Sequence, residues 1–255
     1  MRTFFLTITV AWFLVASTHA ADIGKGTEHL TAQIGGNNVH YYVQLPKGYD
    51  PKKTYGLIVH VPGKGADKGT VEKNQAVNYV RRFMFTSGVN RNYISVALWY
   101  TGNISDHSGS AAVAATKGLI ELVRKTYPVD AQRIFILGFS AGGITVHNLV
   151  WGNHYTKENF PFAGVIFCSA NGRADYSNKN VPRGMPVLAE NGDKGEVVNC
   201  SGIIEGLKKA GYKDCEFHLI KGQGHTISDP ESKLPVNAPD LIAKWLERVD
   251  KKFVK

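Results

Sequence analysis

Gly138-Phe139-Ser140-Ala141-Gly142 follows the apolar run Arg133-Ile134-Phe135-Ile136-Leu137 and leads into Ile144 to Trp151, a segment of helical character. Gly-x-Ser-x-Gly between a strand and a helix is the pattern of a nucleophile elbow. Geometry explains the residue types. The chain turns so sharply that Ser140 is expected in a strained backbone conformation, its hydroxyl pushed out over the sheet edge. Strand and helix then pass so closely that positions two before and two after the serine have no room for a side chain. With 27 Gly in 255 residues the pentapeptide alone is modest evidence. The strand before it and the helix after it supply the rest.

Outward from this turn, strand and helix signals alternate. Glu28 to Ile34 and Val39 to Leu45 read as strands around Gly35-Gly36-Asn37-Asn38, a hairpin signal. Tyr55 to Val61 and Tyr93 to Trp99 are apolar strand runs, with a helix predicted over 70–86 between them. Ser110 to Thr126 reads as a helix and Arg133 to Phe139 as the strand before the turn. Strands are predicted at Phe162 to Ser169, Met185 to Glu190 and Cys215 to Ile220, and helices at 197–210 and Ala238 to Val249. An antiparallel start followed by alternation predicts an α/β fold: a mostly parallel central sheet, an antiparallel N-terminal hairpin and helices on both faces. Ligands of such sheets gather at the carboxyl ends of the strands, where Ser140 lies.

The chain opens with Arg2, an apolar core from Phe4 to Ala16 and Thr18-His19-Ala20, which reads as a signal peptide over 1–20. The expectation is one exported domain over 21–255, secreted or periplasmic, with no stable membrane insertion once the leader is removed. A chain of that length can bury a core without staples. The net charge is +9, but basic residues are scattered among acidic ones with no stripe beside aromatics. That argues against a nucleic-acid partner. The three cysteines, Cys168, Cys200 and Cys215, allow one disulfide in an oxidising compartment. No Cys/His spacing resembles a metal site, and no cofactor is expected.

With these motifs the chain resembles the α/β-hydrolase superfamily, and within it secreted esterases of the feruloyl esterase and polyhydroxybutyrate-depolymerase type. The likeness runs from the opening hairpin to the last helix. It implies the order nucleophile, acid, histidine along the chain. Ser140 stands as the nucleophile. Gly222-Gln223-Gly224-His225-Thr226 follows the last strand and looks like the histidine loop, making His225 the base. The acid departs from the pattern. In Gly192-Asp193-Lys194-Gly195-Glu196-Val197-Val198 the usual aspartate position is Gly195. Asp193, two positions early, is taken first, with Glu196 and the more distant Asp175 as alternatives. The oxyanion hole is expected from the backbone N–H of Ala141 and of either Gly63 or Lys64, in Pro62-Gly63-Lys64-Gly65 after the third strand. Trp99, Tyr100, Trp151 and Tyr155 sit at predicted element ends, where packing beneath loops is a better expectation than lining a groove.

The reading that follows is a serine hydrolase of short acyl or aromatic esters, free or attached to polysaccharide, working through an acyl-enzyme. Two alternatives stand beside it. One is a catalytically impaired binding protein on the same fold, motivated by Gly195. The other is a serine peptidase of the prolyl-oligopeptidase type, which shares the motifs but carries an accessory domain that this chain lacks room for.

Overall fold

Two adjacent glycines in left-handed conformations, Gly35 (φ +57°) and Gly36 (φ +81°), close the first hairpin. Positive φ at both central positions is what a tight two-residue hairpin requires. β1 (Thr27–Ile34) and β2 (Asn37–Gln44) therefore pair from Ile34↔Asn37 outward. Asn37 and Asn38, expected in the turn, belong to the strand instead. The computed structural model describes residues 27–64, 76, 80, 92–99, 109–173, 175–194, 198–226 and 236–253. The predicted leader over 1–20 lies outside them. Among the described residues no helix is long and apolar enough to cross a membrane.

The hairpin joins a sheet of eight strands in the order β1-β2-β4-β3-β5-β6-β7-β8. The others are β3 (Tyr55–Val61), β4 (Tyr93–Trp99), β5 (Val129–Phe139), β6 (Phe162–Cys168), β7 (Val187–Gly192) and β8 (Cys215–Ile220). β2 pairs antiparallel with β1 and β4, and every other pairing is parallel. The predicted architecture is observed. The described helices are α1 (Ser110–Thr126), α2 (Gly142–Trp151), α3 (Cys200–Lys209) and α4 (Ala238–Phe253).

Residues alternate between the two sheet faces, so the core is double. Leu57, Val59, Ile136, Val165, Phe167, Val187 and Ala189 pack with apolar residues of α1, α2 and α3. Ile58, Phe135, Leu137, Ile166, Cys168 and Leu188 face the other way, against Ile242, Trp245, Leu246 and Val249 of α4. Burial on both faces is why the central strands read as continuous apolar runs rather than alternating ones. Of the helix predicted over 70–86, Ala76 and Val80 are described. Both are helical and buried against Tyr42 and Ala97.

Other boundaries moved as well. β7 was expected from Met185 and starts at Val187. Pro186 has no N–H to give the ladder, and Met185 N–H closes a turn onto Pro182 O at 3.0 Å. β5 reaches back to Val129, which pairs with Tyr55 across a bulge in a polar stretch that carries no strand signal. α4 extends past Val249 to Phe253. No disulfide joins Cys168, Cys200 or Cys215. Cys200 opens α3 beside Ala170, at the carboxyl edge of the sheet, and Cys215 begins β8 at the other edge. A ten-residue helix spans about 15 Å, well beyond the ~7 Å between Cα atoms that a disulfide tolerates.

Candidate active site

Among the described residues, five loops meet where the parallel strands end. They follow β3 at Val61, β5 at Phe139, β6 at Cys168, β7 at Gly192 and β8 at Ile220. Ser140 sits in the second. Its φ is +51°, a left-handed conformation that a residue with a Cβ adopts at a cost of about 1–3 kcal/mol. The surrounding backbone holds it there. Ser140 N–H donates to Cys168 O at 3.2 Å, and Ser140 O accepts from Gly143 N–H at 3.1 Å and Asn171 N–H at 2.9 Å. The glycine two positions later is needed for close approach. A Cβ on Gly142 would lie 2.3 Å from Val61 O and 2.5 Å from Pro62 O, both main-chain atoms. Gly138 meets the same limit from the strand side, since its Cβ would lie 2.8 Å from Gly143 Cα.

The strained serine meets the histidine. His225 Nε2 is 2.9 Å from Ser140 Oγ, although 85 residues separate them. The imidazole lies against the Phe139 ring, with centroids 5.0 Å apart and planes tilted by 39°. In the tautomer carrying its proton on Nδ1, Nε2 accepts the serine hydroxyl proton, the geometry a general base needs. Ser140 is half-buried and His225 exposed.

The expected oxyanion donors flank the serine. Ala141 is the N-cap residue of α2, directly after Ser140. The loop after β3 runs against the serine so closely that a Cβ on Gly63 would lie 2.9 Å from Ser140 Cβ. Lys64 is the next residue and is exposed.

The three acid candidates fare differently. Asp193 is exposed at the end of β7, and its Oδ1 accepts from Gly222 N–H at 2.6 Å. Its carboxylate thus holds the start of the histidine loop. Asp175 faces away: Oδ1 accepts from Ser177 N–H at 2.9 Å, and its main-chain O accepts from His147 Nε2 at 2.8 Å. Those Ser177 bonds hold the Asp175 carboxyl below the usual range. Glu196 and Gly195 lie outside the described residues.

His60 and His147 are structural. His60 is fully buried in β3 with Nε2 2.9 Å from Ser95 Oγ, and burial pushes its pKa down to about 3, so it is neutral. His147 is buried in α2 against Trp151, and burial lowers its pKa too. Trp151 donates its indole N–H to Tyr212 Oη at 2.8 Å, and Tyr155 packs edge-on to Phe160 and Phe162. Trp99 packs with Tyr42, His29 and His40. These three aromatics are packing residues, and Tyr100 lies outside the described residues. Among the described residues no group of three or more His, Cys, Asp or Glu is placed to hold a metal ion. A cavity of about 430 Å3, lined by Phe160, Pro161, Met185 and Pro186, opens at the amino ends of β5, β6 and β7, far from Ser140.

Glu190, Gln223 and Asn171 form part of this edge and were not singled out in the sequence. Glu190 had a signal: it is a carboxylate inside an apolar strand run, and it is fully buried.

No protein-family model matches the chain, and no curated protein matches it. Solved structures do. The chain is similar to a thermostable esterase at 18% identity and TM-score 0.63, covering 89% of this chain and 60% of that one. It spans less than two thirds of that esterase's length. An esterase from the fungus Rhizomucor miehei matches at 12% identity and TM-score 0.65, covering 89% and 84%. Propionate-bound Est2, an esterase of the planctomycete Thermogutta terrifontis, matches at 20% identity and TM-score 0.61, covering 90% and 94%. At such identities the likeness speaks to the fold. Together with the strand order and the elbow, it establishes that this chain has the α/β-hydrolase fold.

Proposed function

We propose that the protein is a serine esterase. One observation carries the reading: the hydroxyl of a serine held at φ +51° on a strand-to-helix elbow stands 2.9 Å from an imidazole nitrogen. Ser140 attacks the ester carbonyl while His225 takes its proton. The developing oxyanion is met by the N–H of Ala141 and that of Gly63 or Lys64. His225 returns the proton to the departing alcohol, and water then releases the acyl group by the same path in reverse. The acid that orients His225 is drawn from Asp193 and Glu196, with Asp193 acting through the loop backbone where it is described. Asp175 is set aside because its carboxylate is committed to Ser177.

The substrates proposed are short acyl or aromatic esters, including those carried on polysaccharide, met outside the cell after removal of residues 1–20. The exposed His225 and half-buried Ser140 favour an ester presented on something larger over a deeply enclosed one. Neighbouring esterases support ester chemistry, and Thermogutta terrifontis esterase 2 is described as phosphorylated by paraoxon. The test uses both. Wild-type protein is expected to hydrolyse p-nitrophenyl butyrate and to acquire a diethylphosphoryl group on Ser140 from paraoxon. Ser140→Ala is expected to lose the adduct, and turnover is expected to fall by at least about 10³-fold. Equal, negligible labelling of both proteins would end the proposal and favour the impaired, binding-only reading.

A further inference from the structure

The loop that presents His225 is fastened from beneath by a side chain with no assigned role. Gln223 is 5% exposed, although both of its chain neighbours are partly exposed. Its Nε2 donates to Glu190 Oε2 at 3.3 Å and to Thr226 O at 3.1 Å. The second bond spans His225 in the chain, since Gln223 precedes the histidine and Thr226 directly follows it. Thr226 N–H in turn donates to Gly224 O at 2.8 Å, which makes His225 the middle residue of a three-residue turn. Gln223 therefore grips the exit of the turn that carries the imidazole.

The main chain of Gln223 is fixed as well. Its O accepts from Lys194 N–H at 3.0 Å and its N–H donates to Ile220 O at 3.2 Å. It lies so close to β7 that a Cβ on Gly192 would be 2.0 Å from its O. The other anchor, Glu190, is fully buried. Register places it under the site. Phe139 pairs with Cys168, and Cys168 with Glu190, so the three side chains share one sheet face. Phe139 is the residue on which the His225 ring rests. A buried acceptor and a buried amide N–H that satisfy each other are costly to separate, because either one left alone is unpaired away from water.

We propose that Gln223, held by Glu190, is a positioning residue that sets where His225 stands relative to Ser140. The proposal rests on the Ser140–His225 esterase reading, so one readout must not need turnover. Gln223→Leu removes the donor at similar size. Glu190→Gln keeps an acceptor for Gln223, and Glu190→Leu removes it. Gln223→Leu is expected to lower kcat by about 30-fold or more while KM stays within about threefold. Glu190→Gln should keep most of the activity that Glu190→Leu loses. Glu190→Leu combined with Gln223→Leu should be no worse than Gln223→Leu alone, because both act through one contact.

The second readout is ¹⁵N NMR of histidine-labelled protein. In the wild-type background Ser140→Ala should shift the His225 Nε2 signal, and with Gln223→Leu that response should shrink or vanish. A folded Gln223→Leu protein with unchanged kcat and an unchanged Ser140→Ala response overturns the proposal. So does a loss seen only in KM, or one that merely tracks lowered stability. If Gln223→Leu does not fold, Glu190→Gln against Glu190→Leu decides alone. Absence of wild-type turnover would sink the esterase reading, whereas the NMR response would still decide whether Gln223 places the ring.

Discussion

Gly142 shows how one missing side chain serves the site. Its Cα faces two main-chain carbonyl oxygens that cannot rotate away, at 2.3 and 2.5 Å from any added Cβ. Gly142→Ala must push α2 off the loop after β3, moving Ser140 away from Gly63 and His225. A displacement of about 1 Å at reacting groups costs on the order of 10²-fold in rate. We therefore expect Gly142→Ala to fold with a lowered melting temperature and to lose about 100-fold in kcat/KM towards p-nitrophenyl butyrate. Kinetic constants within about threefold of wild type would refute the steric account. This part of the site was legible in the sequence because its rule is local: five consecutive residues state both the turn and the reason for it. The imidazole was legible for a similar reason, through the glycines around His225. The acid was not, because the position that names it is Gly195, and Asp193, two residues earlier, turns its carboxylate to Gly222 N–H. Nor was Gln223 legible as an anchor. A glutamine carries no pattern, and its partner Glu190 is 33 residues away.

At the scale of elements, what fastens α4 to the sheet is a polar clamp at its carboxyl-terminal end. Arg133 of β5 reaches Asp250 of α4, with Nη2 to Oδ2 at 2.8 Å and Nε to Oδ1 at 3.3 Å. Tyr93 Oη of β4 donates to the same carboxylate, and the Arg133 guanidinium lies 5.2 Å over the Tyr93 ring. Arg133 and Asp250 are only 17% and 16% exposed, so this pair differs from an ordinary surface one. Truncating one partner of a buried pair costs about 3–5 kcal/mol, and partial exposure reduces that. Asp250→Ala is expected to destabilise the protein by about 2–3 kcal/mol in urea unfolding, with the m-value unchanged. A loss below about 0.5 kcal/mol would mean that the apolar contacts of Ile242, Trp245 and Leu246 hold the helix unaided. The polar run Asp130-Ala131-Gln132-Arg133 concealed this. It hid the first half of β5, where the ladder skips from Val129 to Ile134 and the half-exposed polar residues between them give no continuous apolar signal. β7 erred the other way, because apolar Met185 and Pro186 looked like strand while proline cannot feed the ladder.

Over the whole molecule, burial of imidazoles makes stability depend on mild acid. In the folded protein His60 stays neutral down to about pH 3, while in the unfolded chain it takes a proton near 6.5. Between those values the unfolded state binds more protons, so stability falls as pH drops through the window. At pH 5 the His60 contribution is a loss of about 2 kcal/mol relative to neutral pH. His40, His147 and His154 shift in the same direction, each chiefly through burial. The carboxyls held low, Asp175 and Glu158, add the same sign but only below their ordinary values of 3.8 and 4.5. Measurements between pH 7 and 5 therefore avoid the titration of these two carboxyls. Urea unfolding should show a clear fall in stability over that range, and His60→Gln should flatten it by about 2 kcal/mol between the two ends. Gln keeps a polar group towards Ser95 without titrating, so its own cost at pH 7 is a constant offset that leaves the slope readable. A variant with the wild-type slope would show that His60 already accepts a proton in the folded state, and the acid sensitivity would then belong to the other three.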